Sequence, residues 1–236
     1  MEHLIQVDKE PIYRDENPSA LESFISELEN DKINFVYLGR QRYLPTWELQ
    51  KELHDLRKKQ DIPDVVLLLE HQNVYTFGKN SDKNFLLDSF KNIEVFETDR
   101  GGEVTYHGPG QLVGYPILDL NNYQKSITWF MKSLEQVIIN TLKEFAVDSD
   151  RKDGLPGVWV EDEKICAMGV RIARWVTMHG FALNINPDMK YFDGMIPCGI
   201  LDCGVTSLSE CSNTSVDFDD VLNVLINQFS LVFKSN

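Results

Sequence analysis

The sequence predicts an α+β chain in which helices pack on one face of a sheet. Three observations predict it. Short segments with the alternation or unbroken apolar character of strands cluster along the chain. Two long stretches carry the helical period instead. No repeat, low-complexity tract or Gly/Ser linker divides the 236 residues, a length suited to one large domain.

The first segment, Pro18 to Glu29, sets Leu21, Phe24, Ile25 and Leu28 at helical spacing. Asn34 to Leu38 reads as a strand. Leu44 to Lys59 reads as a helix, with Pro45 in the first turn, where a missing N–H is tolerated. Val65 to Leu69 is an unbroken apolar run, the mark of a buried strand, and it delivers Glu70 and His71 at its end. Val74 to Phe77 and Ile93 to Phe96 are short strands. Glu103 to Tyr106 and Leu112 to Leu118 flank Gly108-Pro109-Gly110 and are predicted to form a hairpin. Ile127 to Phe145 carries an apolar stripe through Phe130, Leu134, Val137, Thr141 and Phe145. Gly157 to Val160, Lys164 to Ile172 and Phe181 to Ile185 are strands, and Val216 to Phe233 is a closing helix. Residues 1–30 are expected to be an acidic N-terminal extension with a short helix, and residues 31–236 a single domain.

Composition narrows the function. A hydrophobic fraction of 42% and a charged fraction of 25% belong to a soluble globular protein, and no apolar run approaches the ~20 residues that span a bilayer. The start, Met1-Glu2-His3-Leu4, lacks a basic region followed by an apolar core, so a cytoplasmic location is expected. Cys166, Cys198, Cys203 and Cys211 form no paired clusters and, with His179, suit no common zinc module. Neither a metal nor a cofactor is expected. A net charge of −14 argues against nucleic acid. Cations gather mid-chain at Arg151, Lys152, Arg171, Arg174 and Lys190, which suggests a basic rim on an acidic body.

Residues 100 to 111 read Arg-Gly-Gly-Glu-Val-Thr-Tyr-His-Gly-Pro-Gly-Gln. Glycine lets main chain approach a ligand and proline fixes a turn, so a cation, a phenol and an imidazole between such residues suggest a binding wall. Further on come Glu163-Lys164-Ile165-Cys166-Ala167-Met168-Gly169-Val170-Arg171, His179-Gly180-Phe181-Ala182-Leu183-Asn184 and Ile196-Pro197-Cys198-Gly199-Ile200. Together these four motifs closely resemble the lipoyl(octanoyl) transferase family, from about Asn34 to Leu208. The resemblance implies a biotin/lipoate protein ligase-like catalytic domain, with a large mixed sheet and a smaller one.

It also implies an activity. Such enzymes move an octanoyl or lipoyl group from acyl carrier protein, where it rides on phosphopantetheine, to a lysine of lipoate-dependent domains. The acceptors implied are the lipoyl domains of 2-oxoacid dehydrogenase E2 subunits and the glycine cleavage H protein. Cys198 matches the family's acyl-carrying cysteine, and Lys164 its functional lysine. An ammonium beside Cys198 would favour thiolate, since a free thiol titrates near ~8.5. The substrate-binding stretches implied are Arg100, Gly101, Gly102, Glu103, Val104, Thr105, Tyr106 and His107, then Ala167, Met168 and Gly169, then Gly180, Phe181 and Ala182, with Tyr43 and His71 beside them. The nearest alternative is an ATP-dependent lipoate or biotin protein ligase, which shares the fold but makes an acyl-adenylate and needs no nucleophilic cysteine.

Overall fold

The computed structural model describes residues 4–6, 18–79, 81, 93–195, 204–212 and 215–234. Along the chain run β1 (Leu4–Gln6), α1 (Pro18–Glu27), β2 (Asn34–Gln41), α2 (Tyr43–Lys59), β3 (Val65–His71), β4 (Val74–Phe77), β5 (Glu94–Glu97), β6 (Thr105–His107) and β7 (Gln111–Ile117). There follow α3 (Ile127–Glu144), β8 (Asp150–Lys152), β9 (Leu155–Val160), β10 (Glu163–Ala173), β11 (Val176–Asn184), β12 (Gly204–Val205), α4 (Leu208–Cys211) and α5 (Phe218–Val232). Helices α3 and α5 begin where a side chain satisfies their first N–H groups. Ser126 Oγ accepts from Trp129 N, and the Asp217 carboxylate accepts from Asp219 N and Asp220 N.

The large sheet is mixed, in the order β1-β2-β3-β7-β11-β10-β9-β8 with β12 also beside β10. The small sheet runs β5-β4-β6. Helices cover both faces of the large sheet, which corrects the expectation of one. Strand side chains alternate, so the apolar run of β3 sends Val66 and Leu68 to one face and Val65, Leu67 and Leu69 to the other. Two apolar faces need two covers. Phe130, Leu134 and Ile138 of α3, with Leu225 and Phe229 of α5, close the first. Leu49 and Leu53 of α2, with Leu21 and Phe24 of α1, close the second. Within the stretch read as an extension, β1 pairs in parallel with β2, so Leu4–Gln6 is part of the sheet.

The predicted hairpin around Gly108-Pro109-Gly110 does not form. β6 pairs with β4 in the small sheet, whereas β7 lies between β3 and β11 in the large one. The turn therefore carries the chain from one sheet to the other. Gly110 sits at φ +84, and a side chain there would lie 2.5 Å from the Asn186 carbonyl oxygen. That oxygen's neighbours bind back: Ile185 N and Asn186 N both donate to Gly110 O.

One buried charge cluster ties α2 to the sheet. Asp64 Oδ1 accepts from Arg57 Nε (2.7 Å) and from Asp119 N (2.9 Å), while Oδ2 accepts from Tyr123 OH (2.8 Å). Asp64 and Arg57 are both buried. Asp64→Ala would leave the buried Arg57 guanidinium only the Asp119 carboxylate at 4.0 Å and would strip two further donors of their acceptor, so it is expected to destabilise the fold by ~3 kcal/mol. Tyr123→Phe removes one bond and is expected to cost about 1 kcal/mol. Urea unfolding midpoints check both, and equal losses would contradict this account.

Candidate active site

The site is laid out by one strand pair. In the antiparallel ladder of β10 and β11, Cys166 faces Leu183, Ala167 faces Ala182, Met168 faces Phe181, Gly169 faces Gly180 and Val170 faces His179. The second and third sequence motifs are therefore neighbours by register. β7 flanks β11 with Gln111 opposite Asn184 and Val113 opposite Ala182, which adds the end of the first motif.

A cavity of about 290 Å³ opens over this ladder, between the large and small sheets. Of the residues expected at the site, Tyr43, Arg100, Gly102, Glu103, Val104, Thr105, His107, Lys164, Ala167, Met168, Gly169, Gly180, Phe181 and Ala182 line it. Gly101, Tyr106 and His71 do not. Gly101 N donates to Val170 O, fixing the loop to β10. Tyr106 donates to Asn73 Oδ1 (2.8 Å), stacks on Tyr191 and faces a second, open cleft beyond the Gly-Pro-Gly turn. His71 stands behind Tyr115. Cys198 lies outside the described residues, as does Cys203. Met195 and Val205, described residues that flank Cys198 in the chain, both line the cavity.

Lys164 is not a solvated lysine of the ordinary kind. It is 9% exposed, and its Nζ lies 4.7 Å from the centre of the Trp159 ring. Its strand position is fixed on both sides, opposite Trp159 in β9 and Val205 in β12, and its carbonyl accepts from Thr206 N. Cys166, two residues on, is buried among core side chains, and burial holds its thiol well above the ordinary range. It stays protonated and structural.

The Arg100 loop is stitched to both sheets. Arg100 Nη2 donates to Thr76 O (2.6 Å) and Oγ1 (2.9 Å) of β4. On the other side, the Asp99 carboxylate bridges Arg171 of β10 and His179 of β11, with His179 Nε2 at 2.8 Å. Gly169 allows this contact, because a side chain there would lie 2.6 Å from Gly101 O.

The remaining polar wall is a set of neutral imidazoles with defined tautomers. Gln111 Nε2 donates to Tyr106 O and Asn184 Oδ1, so its Oε1 must accept from His107 Nδ1–H (2.8 Å). Asn184 Nδ2 in turn donates to Thr206 O (3.0 Å), beside the Lys164 strand. His71 Nδ1–H donates to Gln41 O, and its Nε2 accepts from Tyr115 OH (2.8 Å). Burial pushes His71 down to about 4 and His107 well below the imidazole range. Burial also lowers His179, and the Asp99 carboxylate partly offsets this.

Gln111, Tyr115, Asn184 and His179 are lining residues that the motif reading did not assign to the pocket. Gln111 and Asn184 close two of the quoted motifs, which was the available signal. Tyr115 carried none.

A large mixed sheet, a small sheet against it and a cavity closed by a Gly-rich loop define a catalytic domain of the lipoate protein ligase type. Lipoate-protein ligase A, solved with ATP bound, has the same fold, with a TM-score of 0.66 at 15% identity over 84% of each chain. The model of the lipoyl protein ligase A/B catalytic domain matches residues 42–230. An octanoyltransferase of Gloeobacter violaceus is 46% identical over 192 residues, 81% of this chain and 86% of its own. One from Flavobacterium johnsoniae is 45% identical over 228 residues, 87% of this chain and 98% of its own. The chain belongs to the lipoyl protein ligase A/B catalytic domain family, and within it to the octanoyltransferases.

The imidazoles make stability depend on pH. The unfolded chain binds protons near pH ~6.5, whereas folded His71 resists them until about 4. Stability is therefore full above the unfolded value and falls as pH drops through the interval, by roughly 3 kcal/mol from His71 at the lower end. Unfolding in urea at pH 7.5 and pH 5 reads this loss. His71→Gln is expected to reduce the difference between the two, and an unchanged difference would exclude His71 as its source.

Proposed function

We propose that this chain is an acyltransferase that moves an octanoyl group from acyl carrier protein to a lysine of lipoate-dependent protein domains, through a thioester on Cys198. The observation that carries the reading is the cavity itself. It runs along apolar strand positions, and it is lined by the buried Lys164 and by Met195 and Val205, which flank the Cys198 segment in the chain. Family membership supports it.

The chemistry follows in two halves. Thiolate Cys198 attacks the octanoyl thioester, a C–S bond forms as the phosphopantetheine C–S bond breaks, and the departing thiolate takes up a proton. Lys164, as ammonium, favours the attacking thiolate and can supply that proton. Lys164 is then neutral and accepts a proton from the acceptor amine, which attacks the acyl-enzyme. An amide forms, and Cys198 leaves as thiolate beside a restored ammonium. The thioester donor supplies the driving force, so no nucleotide or metal is called for. Both partners are carrier domains: phosphopantetheinyl acyl carrier protein as donor, and lipoyl domains of 2-oxoacid dehydrogenases or the glycine cleavage H protein as acceptors. No helix among the described residues is long and apolar enough to cross a membrane, and the reading places the reaction in the cytoplasm. The ATP-dependent ligases share only the fold at 15% identity.

Octanoyl transfer without ATP tests the reading. Cys198→Ala is expected to abolish transfer, and Lys164→Ala to lower it by at least ~10²-fold, the scale of a lost acid–base group. Intact mass after incubation with octanoyl acyl carrier protein should show one added octanoyl on the wild type and none on Cys198→Ala. An adduct on Cys166, Cys203 or Cys211 would overturn the cysteine assignment.

A further inference from the structure

We infer that His179, held by Asp99 and Arg171, is the closed end of the acyl channel and sets the length of the chain that is transferred. The inference rests on the proposed acyl transfer and adds its specificity determinant. The cavity has two ends that the strand register separates. Lys164, Asn184 and Val205 line one; Gly169, Gly180 and His179 line the other. Gly169 lies five residues beyond Lys164 on β10, roughly 17 Å at ~3.4 Å per residue.

An octanoyl chain is shorter than that. Three backbone bonds span ~3.4 Å in a strand, so the seven carbon–carbon bonds of an extended octanoyl group reach roughly 8 Å. The Lys164 side chain and the thioester head take up the near part of the channel. The methyl end then falls at the registered pair Gly169 and Gly180, which present no side chains. The next residue along β11 is His179.

Its conformation is built for a stop. His179 is a non-glycine residue at φ +59, a costly backbone state inside a strand. Three contacts hold it there: its N–H donates to Gln50 Oε1 (3.1 Å), its Nε2–H donates to Asp99, and its ring lies edge-on to Tyr115. Asp99 is itself held by Arg171. A longer chain must displace this ring and break its hydrogen bond to Asp99 in doing so.

The test compares octanoyl, decanoyl and dodecanoyl acyl carrier proteins as donors to wild type, His179→Gly and Asp99→Asn. Glycine keeps the positive φ and removes the ring; asparagine keeps the shape and loosens the hold. The readout is the ratio of kcat/KM for dodecanoyl over octanoyl, in which any inactive fraction cancels. His179→Gly is expected to raise this ratio on the order of tenfold, the scale on which apolar pockets discriminate methylenes. Asp99→Asn is expected to raise it less. Titration of free octanoate, decanoate and dodecanoate by calorimetry reads the same selection without turnover. Absent transfer by the wild type would thus refute the reaction, while the binding ratio still decides the channel's end. Ratios in His179→Gly that match the wild type in either assay overturn the proposal.

Discussion

The antiparallel register of β10 on β11 is the constraint from which the site follows. Lys164, the Ala167–Gly169 stretch and the Gly180–Ala182 stretch reach one cavity because backbone hydrogen bonds allow no other alignment once alternate side chains are committed to opposite faces. A slip of one residue would turn Cys166 and Leu183 out of the core and bury the cavity's lining. Because the core on each face is apolar and close-packed, that slip is heavily penalised. The site is therefore as precisely placed as the sheet is stable.

The loop that roofs the cavity depends on the same pair. Asp99 reaches across to Arg171 and His179, Gly101 bonds to Val170, and Arg100 returns to Thr76 in the small sheet. This makes the loop a bridge between the two sheets. The neutral imidazoles beneath it have fixed tautomers, so the polar wall is preorganised and needs no proton exchange to hold its shape.

Charge is distributed less simply than a basic rim on an acidic body. Arg151 pairs with Glu135, Lys152 with Asp162, Arg171 with Asp99 and Lys190 with Asp188. These cations are already answered within the chain, and Arg171 is engaged in positioning His179. Arg174 is exposed at the β10–β11 turn, where it and Trp175 both take positive φ.

By itself the sequence determined the four longer helices, most of the strands and which motifs meet at the cavity. Local periods and the Gly-rich run at residues 100–111 are written in adjacent residues, so the buried run Val65–Leu69 and the stripe of α3 were legible, as were Lys164 and the lining glycines. The expected hairpin failed because strand pairing is non-local: β6 and β7 are neighbours in the chain, yet β6 pairs with β4 and β7 with β3 and β11. The same reason explains the second helical cover, and the sorting of Tyr106 and His71 away from the cavity. Tyr115 became a site residue only through tertiary structure, because a side chain's surroundings depend on which strand lies opposite; His179 opens a quoted motif, but its place at the cavity depends on φ at that one residue.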